Sequence, residues 1–171
     1  IFNKKRDLLI VVGGGSLPPQ LYDRPHEDEL QPNRDRMEEQ VIHYCVAHGI
    51  PIIATCRGMQ YINVMFGGKL WYHPKLPVNR TRGVDHQVWL VKEQRNIWVN
   101  NYHSDCIYEE GLASCFEPLA IDRENHVVEA YGSDEMKILA LQWHPERRFE
   151  TANAYEETRK IILDFIQKYV K

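Results

Sequence analysis

The sequence predicts an α/β fold: a mostly parallel mixed sheet flanked by helices, in one domain over residues 1–171. Three observations carry that expectation. Short apolar runs at residues 8–12, 50–54 and 138–142 have the length and branched side chains of buried strands. Helical spacing lies between and after them, at Met37, Val41, Tyr44, Cys45 and His48, and at Ile161, Ile162, Phe165 and Tyr169. Further short strands are separated by turn signals such as Asp122-Arg123-Glu124-Asn125, which suggests hairpins beside the parallel part.

The elements follow in order. Residues 8–12 form an inner strand. Residues 18–36 hold four prolines and many charges and read as a loop over the site mouth. Asp35-x-x-Glu38 reads as a capping box, Cys45 falls on the apolar stripe of the helix that follows, and Gly49 ends that helix. Residues 50–54 are the next strand. Ala54-Thr55-Cys56-Arg57-Gly58-Met59-Gln60 then reads as strand, tight turn and helix. Residues 74–83 form a second loop, with Lys75, Arg80 and Arg82. Residues 87–91, 97–102, 118–121, 127–131 and 138–142 are short strands, and residues 155–170 a final helix.

Hydrophobic content of 43% and charged content of 26% describe an ordinary globular chain. A net charge of −3 argues against a nucleic-acid or anionic-membrane surface. No apolar run approaches the ~20 residues of a membrane span. Cys45, Cys56, Cys106 and Cys115 match no zinc spacing, and a chain of this size needs no disulfide staples. Free thiols in a reducing cytoplasm are the simplest account. His26, His43, His48, His73, His86 and His126 are scattered, with no pair at metal-ligand spacing.

Cys56 is placed at a helix N-terminus, where free N–H groups and the macrodipole favour a thiolate. Gly58 permits the sharp bend and lets a substrate approach the backbone. A thiol nucleophile needs a base, and the base needs an orienting group. His144 falls just past the strand at 138–142, and Glu146 lies two residues further. Cys56, His144 and Glu146 supply the three roles in that order. The competing readings are a structural cysteine and a solvated carboxylate; the strand-to-helix context of Cys56 favours the reactive one.

Cys56-Arg57-Gly58-Met59-Gln60 together with Gln142-Trp143-His144-Pro145-Glu146 resembles a class I glutamine amidotransferase domain, a flavodoxin-like fold. More narrowly, the chain is similar to the γ-glutamyl hydrolase branch, including γ-glutamyl-γ-aminobutyrate hydrolases. Val12-Gly13-Gly14-Gly15-Ser16-Leu17-Pro18-Pro19 resembles that branch's glycine loop, Phe66-Gly67-Gly68-Lys69-Leu70 its Gly-Gly-x-Leu, and Val99-Asn100-Asn101-Tyr102-His103 its Val-Asn-Ser-Tyr-His. Two departures stand out: Ser16 where the family commonly has Asp, and Ser104-Asp105 where it has His-Gln. The short segment from Gly67 to His103, with Arg147-Arg148, also resembles γ-glutamyl-CDP-amidate hydrolases. Family members carry a strand, a helix and another strand before this point, so the resemblance implies that the N-terminal part of the fold is missing from the chain.

The resemblance implies hydrolysis of a γ-glutamyl amide through a γ-glutamyl thioester on Cys56. Its oxyanion hole would be the N–H groups of Gly14 and Arg57, and its glutamyl end would meet Gln60, His103 and Ser104. A merely solvated Gln60 and a His103 that only packs are the competing readings. The implied partner is a small γ-glutamyl amide, with no nucleic acid, membrane, metal or organic cofactor, and with a homodimer as one possible assembly. The leaving group would face the two loops, whose Arg24, Arg34, Lys75, Arg80 and Arg82, with Arg147, suit an anion; a solvated basic surface reads the same way. The alternative activity is a glutaminase module supplying ammonia to a synthetase partner.

Overall fold

A computed structural model describes residues 7–22, 30–72 and 82–170. β1 (Leu9–Val11), β2 (Ile52–Thr55) and β9 (Ile138–Leu141) lie side by side and parallel, with Val11 opposite Ala54 and Thr55 opposite Leu141. β8 (Val127–Ser133), β7 (Glu117–Asp122), β4 (His86–Leu90) and β5 (Arg95–Val99) extend the sheet antiparallel, in the order β1-β2-β9-β8-β7-β4-β5. Two of its six pairings are parallel and four antiparallel, so the hairpins foreseen beside the parallel part make up the far half of the sheet. β3 (Trp71–Tyr72) and β6 (Asp105–Cys106) form a separate two-stranded pair too short to leave a periodic signal.

The pleat sorts the apolar side chains onto two faces. Ile52, Ala54, Ile138 and Ala140 join a core with Ile42 and Cys45 of α1 (Pro32–His48) and with Met59 and Ile62 of α2 (Arg57–Met65). Ile53, Leu139 and Leu141 face the other way, onto Ile161, Ile162, Phe165 and Ile166 of α3 (Ala154–Tyr169). Helices therefore cover both faces, as the sequence led us to expect. Three side chains on the expected stripes differ. Met37 and Tyr44 are exposed, and Ile42 with Cys45 forms the buried edge of α1. On α3, Ile166 packs inward, while the Tyr169 hydroxyl donates to Asp134.

α1 begins earlier than a capping box at Asp35 would place it. Pro32 takes the first helical position, where its missing N–H costs nothing, and Gln31 is the N-cap residue. Asp35 is buried inside the first turn and its carboxylate pairs with Arg57. Gly49 closes the helix in the left-handed region, at φ 66°. Among the described residues no helix is long and apolar enough to cross a membrane.

Candidate active site

Each of the three parallel strands delivers a candidate group at its C-terminal end, where open α/β sheets place ligands. β1 runs into Gly13 and Gly14, β2 into Cys56, and β9 into Gln142 and His144. The Cys56 N–H donates to the Leu141 carbonyl at 2.8 Å, extending the ladder by one bond before the chain turns. The turn is sharp: Cys56 holds φ 50° and ψ −112°. The bend is thus made by the cysteine itself. Gly58 serves packing rather than substrate access, because a β-carbon there would lie 2.3 Å from the Val11 carbonyl oxygen.

His144 Nδ1 lies 2.6 Å from Glu146 Oε1. A carboxylate only accepts, so Nδ1 carries the proton and Nε2 presents a lone pair. A β-carbon on Gly13 would meet His144 Cε1 at 2.8 Å and Cys56 Cβ at 3.5 Å, so imidazole and cysteine border the same glycine. The backbone of His144 is clamped by Asn100, which is fully buried: its Nδ2 donates to the His144 carbonyl at 2.8 Å and its Oδ1 accepts the His144 N–H at 2.9 Å. The Tyr102 ring packs edge-on to the imidazole at 5.7 Å, and the Arg147 guanidinium covers Tyr102 at 4.4 Å.

The electrostatics correct one expectation. Burial pushes the Cys56 thiol up to about 11, opposed by the Arg57 backbone N–H and by Arg147. The helix N-terminus therefore does not produce a resting thiolate; withdrawal from water outweighs it. Burial also pulls His144 below its ordinary value, partly offset by Glu146. Glu146 is held low despite burial by its bond to His144. At neutral pH the trio is a thiol, a neutral imidazole and a carboxylate.

Two cavities meet at Cys56. The smaller, about 150 Å³, is polar and is walled by Gly14, Ser16, Gln60, His103, Ser104 and Asp105. The larger, about 750 Å³, is walled by Gly13, His144, Glu146, Arg147 and apolar residues including Ile10 and Val12. Gly14, Arg82 and Tyr102 border both. Gln60 is buried, and its Nε2 donates to the Asp105 carbonyl at 3.0 Å and to Gln142 Oε1 at 3.2 Å. The His103 Nδ1 donates to the Asp105 carbonyl at 3.1 Å, and its Nε2 stands 3.6 Å from Glu129, a fully buried carboxylate that also faces His86 at 3.5 Å. All eight predicted site residues thus gather around the two cavities. Arg34 does not join an anion cluster, since its guanidinium is turned to backbone carbonyls. Arg24, Lys75 and Arg80, like His26 and His73, lie outside the described residues. Among the described residues no cluster of three or more His, Cys, Asp or Glu could hold a metal ion.

Asn100 and Glu129 were missed as supports of the site. A lone buried Asn or Glu in a strand-rich stretch carries no periodic signal. For Glu129 rarity inside a core is the available hint, and Asn100 also stands in the Val99-Asn100-Asn101-Tyr102-His103 stretch, from which no role for it was read.

A family model described as Peptidase C26 matches residues 3–146. The glutamine amidotransferase-like protein YvdE of Lactococcus lactis subsp. lactis is 30% identical over 164 residues, covering 85% of this chain and 68% of YvdE. The γ-glutamyl-γ-aminobutyrate hydrolase PuuD of Escherichia coli K12 is 28% identical over 169 residues, covering 83% of this chain and 65% of PuuD. The chain thus spans about two thirds of the length of these relatives. A glutamine amidotransferase structure from Thermotoga maritima superposes with TM-score 0.60 at 19% identity over 93% of this chain and 64% of that one, a likeness of fold.

Proposed function

We propose, from the premise that this chain belongs to the Peptidase C26 family, that it hydrolyses a γ-glutamyl amide through a thioester on Cys56. The observation that carries this reading is the 2.6 Å bond from His144 to Glu146 beside Cys56, at the ends of adjacent parallel strands. Cys56 Sγ attacks the side-chain carbonyl carbon while His144 Nε2 takes the thiol proton. The negative charge on the oxygen is held by the Gly14 and Arg57 N–H groups, each worth roughly 3–4 kcal/mol of barrier. The C–N bond then breaks, and the amine leaves with the proton from His144. A water, deprotonated by the same nitrogen, attacks the thioester. Glutamate departs and Sγ regains its proton.

The small polar cavity suits the glutamyl end, with Gln60, His103 and Ser104 in its wall and Arg82 and Asp105 offering opposite charges to an amino-acid terminus. The large cavity is left for the amine. Its Arg82 and Arg147 favour an anionic one. The relative PuuD is named for γ-glutamyl-γ-aminobutyrate, whose amine bears a carboxylate.

A panel of neutral and anionic γ-glutamyl amides, with glutamine beside them, tests the reading. Substituted amides should outrun glutamine, and anionic ones should lead by a margin that shrinks with salt. Cys56→Ala should remove turnover in a folded protein; retention within about tenfold, only ~1.4 kcal/mol, would sink the nucleophile. Glutamine as the preferred substrate would favour the glutaminase module.

A further inference from the structure

The geometry points to Arg34 as the positioning residue of the oxyanion hole: from α1 it grips the glycine loop and turns the Gly14 N–H toward Cys56. This deepens the hydrolase reading above and rests on it.

The grip is specific. Arg34 Nη2 donates to the Val12 carbonyl at 2.7 Å, and Nη1 to the Gly13 carbonyl at 3.1 Å and to Gln31 Oε1 at 3.0 Å. Nε donates to Glu38 Oε1 at 2.7 Å. Every guanidinium nitrogen is therefore engaged. In a trans peptide the carbonyl of one residue and the N–H of the next point opposite ways. Drawing the Gly13 carbonyl toward α1 turns the Gly14 N–H away from α1, and Gly14 borders both cavities that meet at Cys56. The peptide needs such a hold. It lies past the end of β1, and two glycines in succession give it wide torsional freedom. A β-carbon on Gly14 would meet Arg34 Nη1 at 2.2 Å, so a larger residue there would displace the guanidinium from its grip.

The same network reaches the second donor. Glu38 Oε2 accepts from Arg57 Nη1 at 2.7 Å, and Arg57 Nη2 pairs with Asp35. Arg57 is buried and immediately follows Cys56. One ionic chain, Arg34, Glu38 and Asp35 of α1 with Arg57 of α2, thus aims both N–H groups at one point. A pre-aimed pair needs no reorganisation as charge develops, which is where such donors gain their effect.

The test uses wild type, Arg34→Ala and Arg34→Lys with γ-glutamyl-p-nitroanilide. Loss of one oxyanion donor lowers kcat by roughly 10²–10³-fold, so a donor left unaimed should lower it by roughly 10–100-fold in Arg34→Ala. KM should stay within about threefold, the signature of an interaction made in the transition state. Arg34→Lys, which can reach one carbonyl but not span two, should fall between. Added guanidinium ion should restore part of the kcat of Arg34→Ala and leave wild type unchanged. Alkylation of Cys56 by iodoacetamide, which develops no oxyanion, should change by less than about threefold in both variants. A clasp that merely holds the fold would instead slow alkylation and raise KM along with the fall in kcat, and that result overturns the proposal. So does an unchanged kcat in Arg34→Ala. If that variant does not fold, an unchanged kcat in Arg34→Lys does the same. Wild-type inactivity on every γ-glutamyl amide overturns the hydrolase reading and this proposal together, whereas wild-type turnover with unaffected variants overturns this one alone.

Discussion

Raising the pH on Cys56 while following its alkylation by iodoacetamide separates two resting states: a thiol beside neutral imidazole, or a thiolate–imidazolium pair. Burial lifts this thiol from an ordinary 9.0 to about 11, with the Arg57 backbone N–H and Arg147 pulling the other way and Asp105 and Glu146 adding to the rise. A rise of about two units leaves roughly a hundredfold less thiolate at neutral pH, equivalent to ~3 kcal/mol. The thiolate is the reacting species, so the rate should climb about tenfold per pH unit from about 7 to 10 without levelling. Peptide mass spectrometry reads Cys56 alone, and the exposed Cys115 serves as an internal comparison. His144→Asn should leave the slope unchanged, because a neutral imidazole does not populate the thiolate at rest. A plateau below about pH 8 in wild type that vanishes in His144→Asn would refute the reasoning: the pair would already be ionised and His144 would not act as a base toward the thiol.

Three further outcomes are expected. The acid limb of kcat/KM should lie below pH 6.5, because burial disfavours the His144 imidazolium; Glu146→Gln should lower the rate and move the limb lower still, since the carboxylate that raises His144 is gone, and a limb moving upward would contradict the pairing. Asn100→Ala strands a buried N–H and carbonyl of His144, for a loss of roughly 2–5 kcal/mol in urea unfolding; equal stability of wild type and Asn100→Ala would refute the clamp. Gly58→Ala forces α2 off β1 at the Val11 carbonyl and should cost roughly 1–3 kcal/mol together with activity, both measurable on the purified protein; full activity would mean that the close approach is not needed.

The parts of the fold and site that could be read from the sequence are those written in short segments. A buried run, one cysteine and a polar helix start lie within residues 50–60, so the strand-to-helix turn was legible. His144 and Glu146 are two residues apart, so their pairing was too. The Arg34–Glu38–Arg57–Asp35 chain was not. It joins residues about 20 positions apart across a helix and a turn, and Asp35 with Glu38 three residues on has the spacing of a capping box. Pro32 was the overlooked clue, since proline favours the first helical position and would have moved the helix start ahead of Asp35. The expected thiolate failed on magnitudes. A helix terminus offers roughly 0.3–1 kcal/mol at an exposed site, less than full withdrawal of a thiolate from water costs.

The backbone at Cys56 has a consequence for lineage. Its φ of 50° is a conformation that side chains with a β-carbon adopt at roughly 1–3 kcal/mol. Glycine enters that region freely. Of two inactive replacements, alanine inherits the distortion and glycine sheds it, so the difference in their unfolding free energies, corrected for the roughly 0.4–1 kcal/mol that glycine loses through its freer unfolded chain, weighs the distortion. On the hydrolase reading proposed above, a copy of this gene released from catalytic duty would feel a pull toward glycine at this position. Among descendants, a glycine there would mark retirement from chemistry with the rest of the fold still intact.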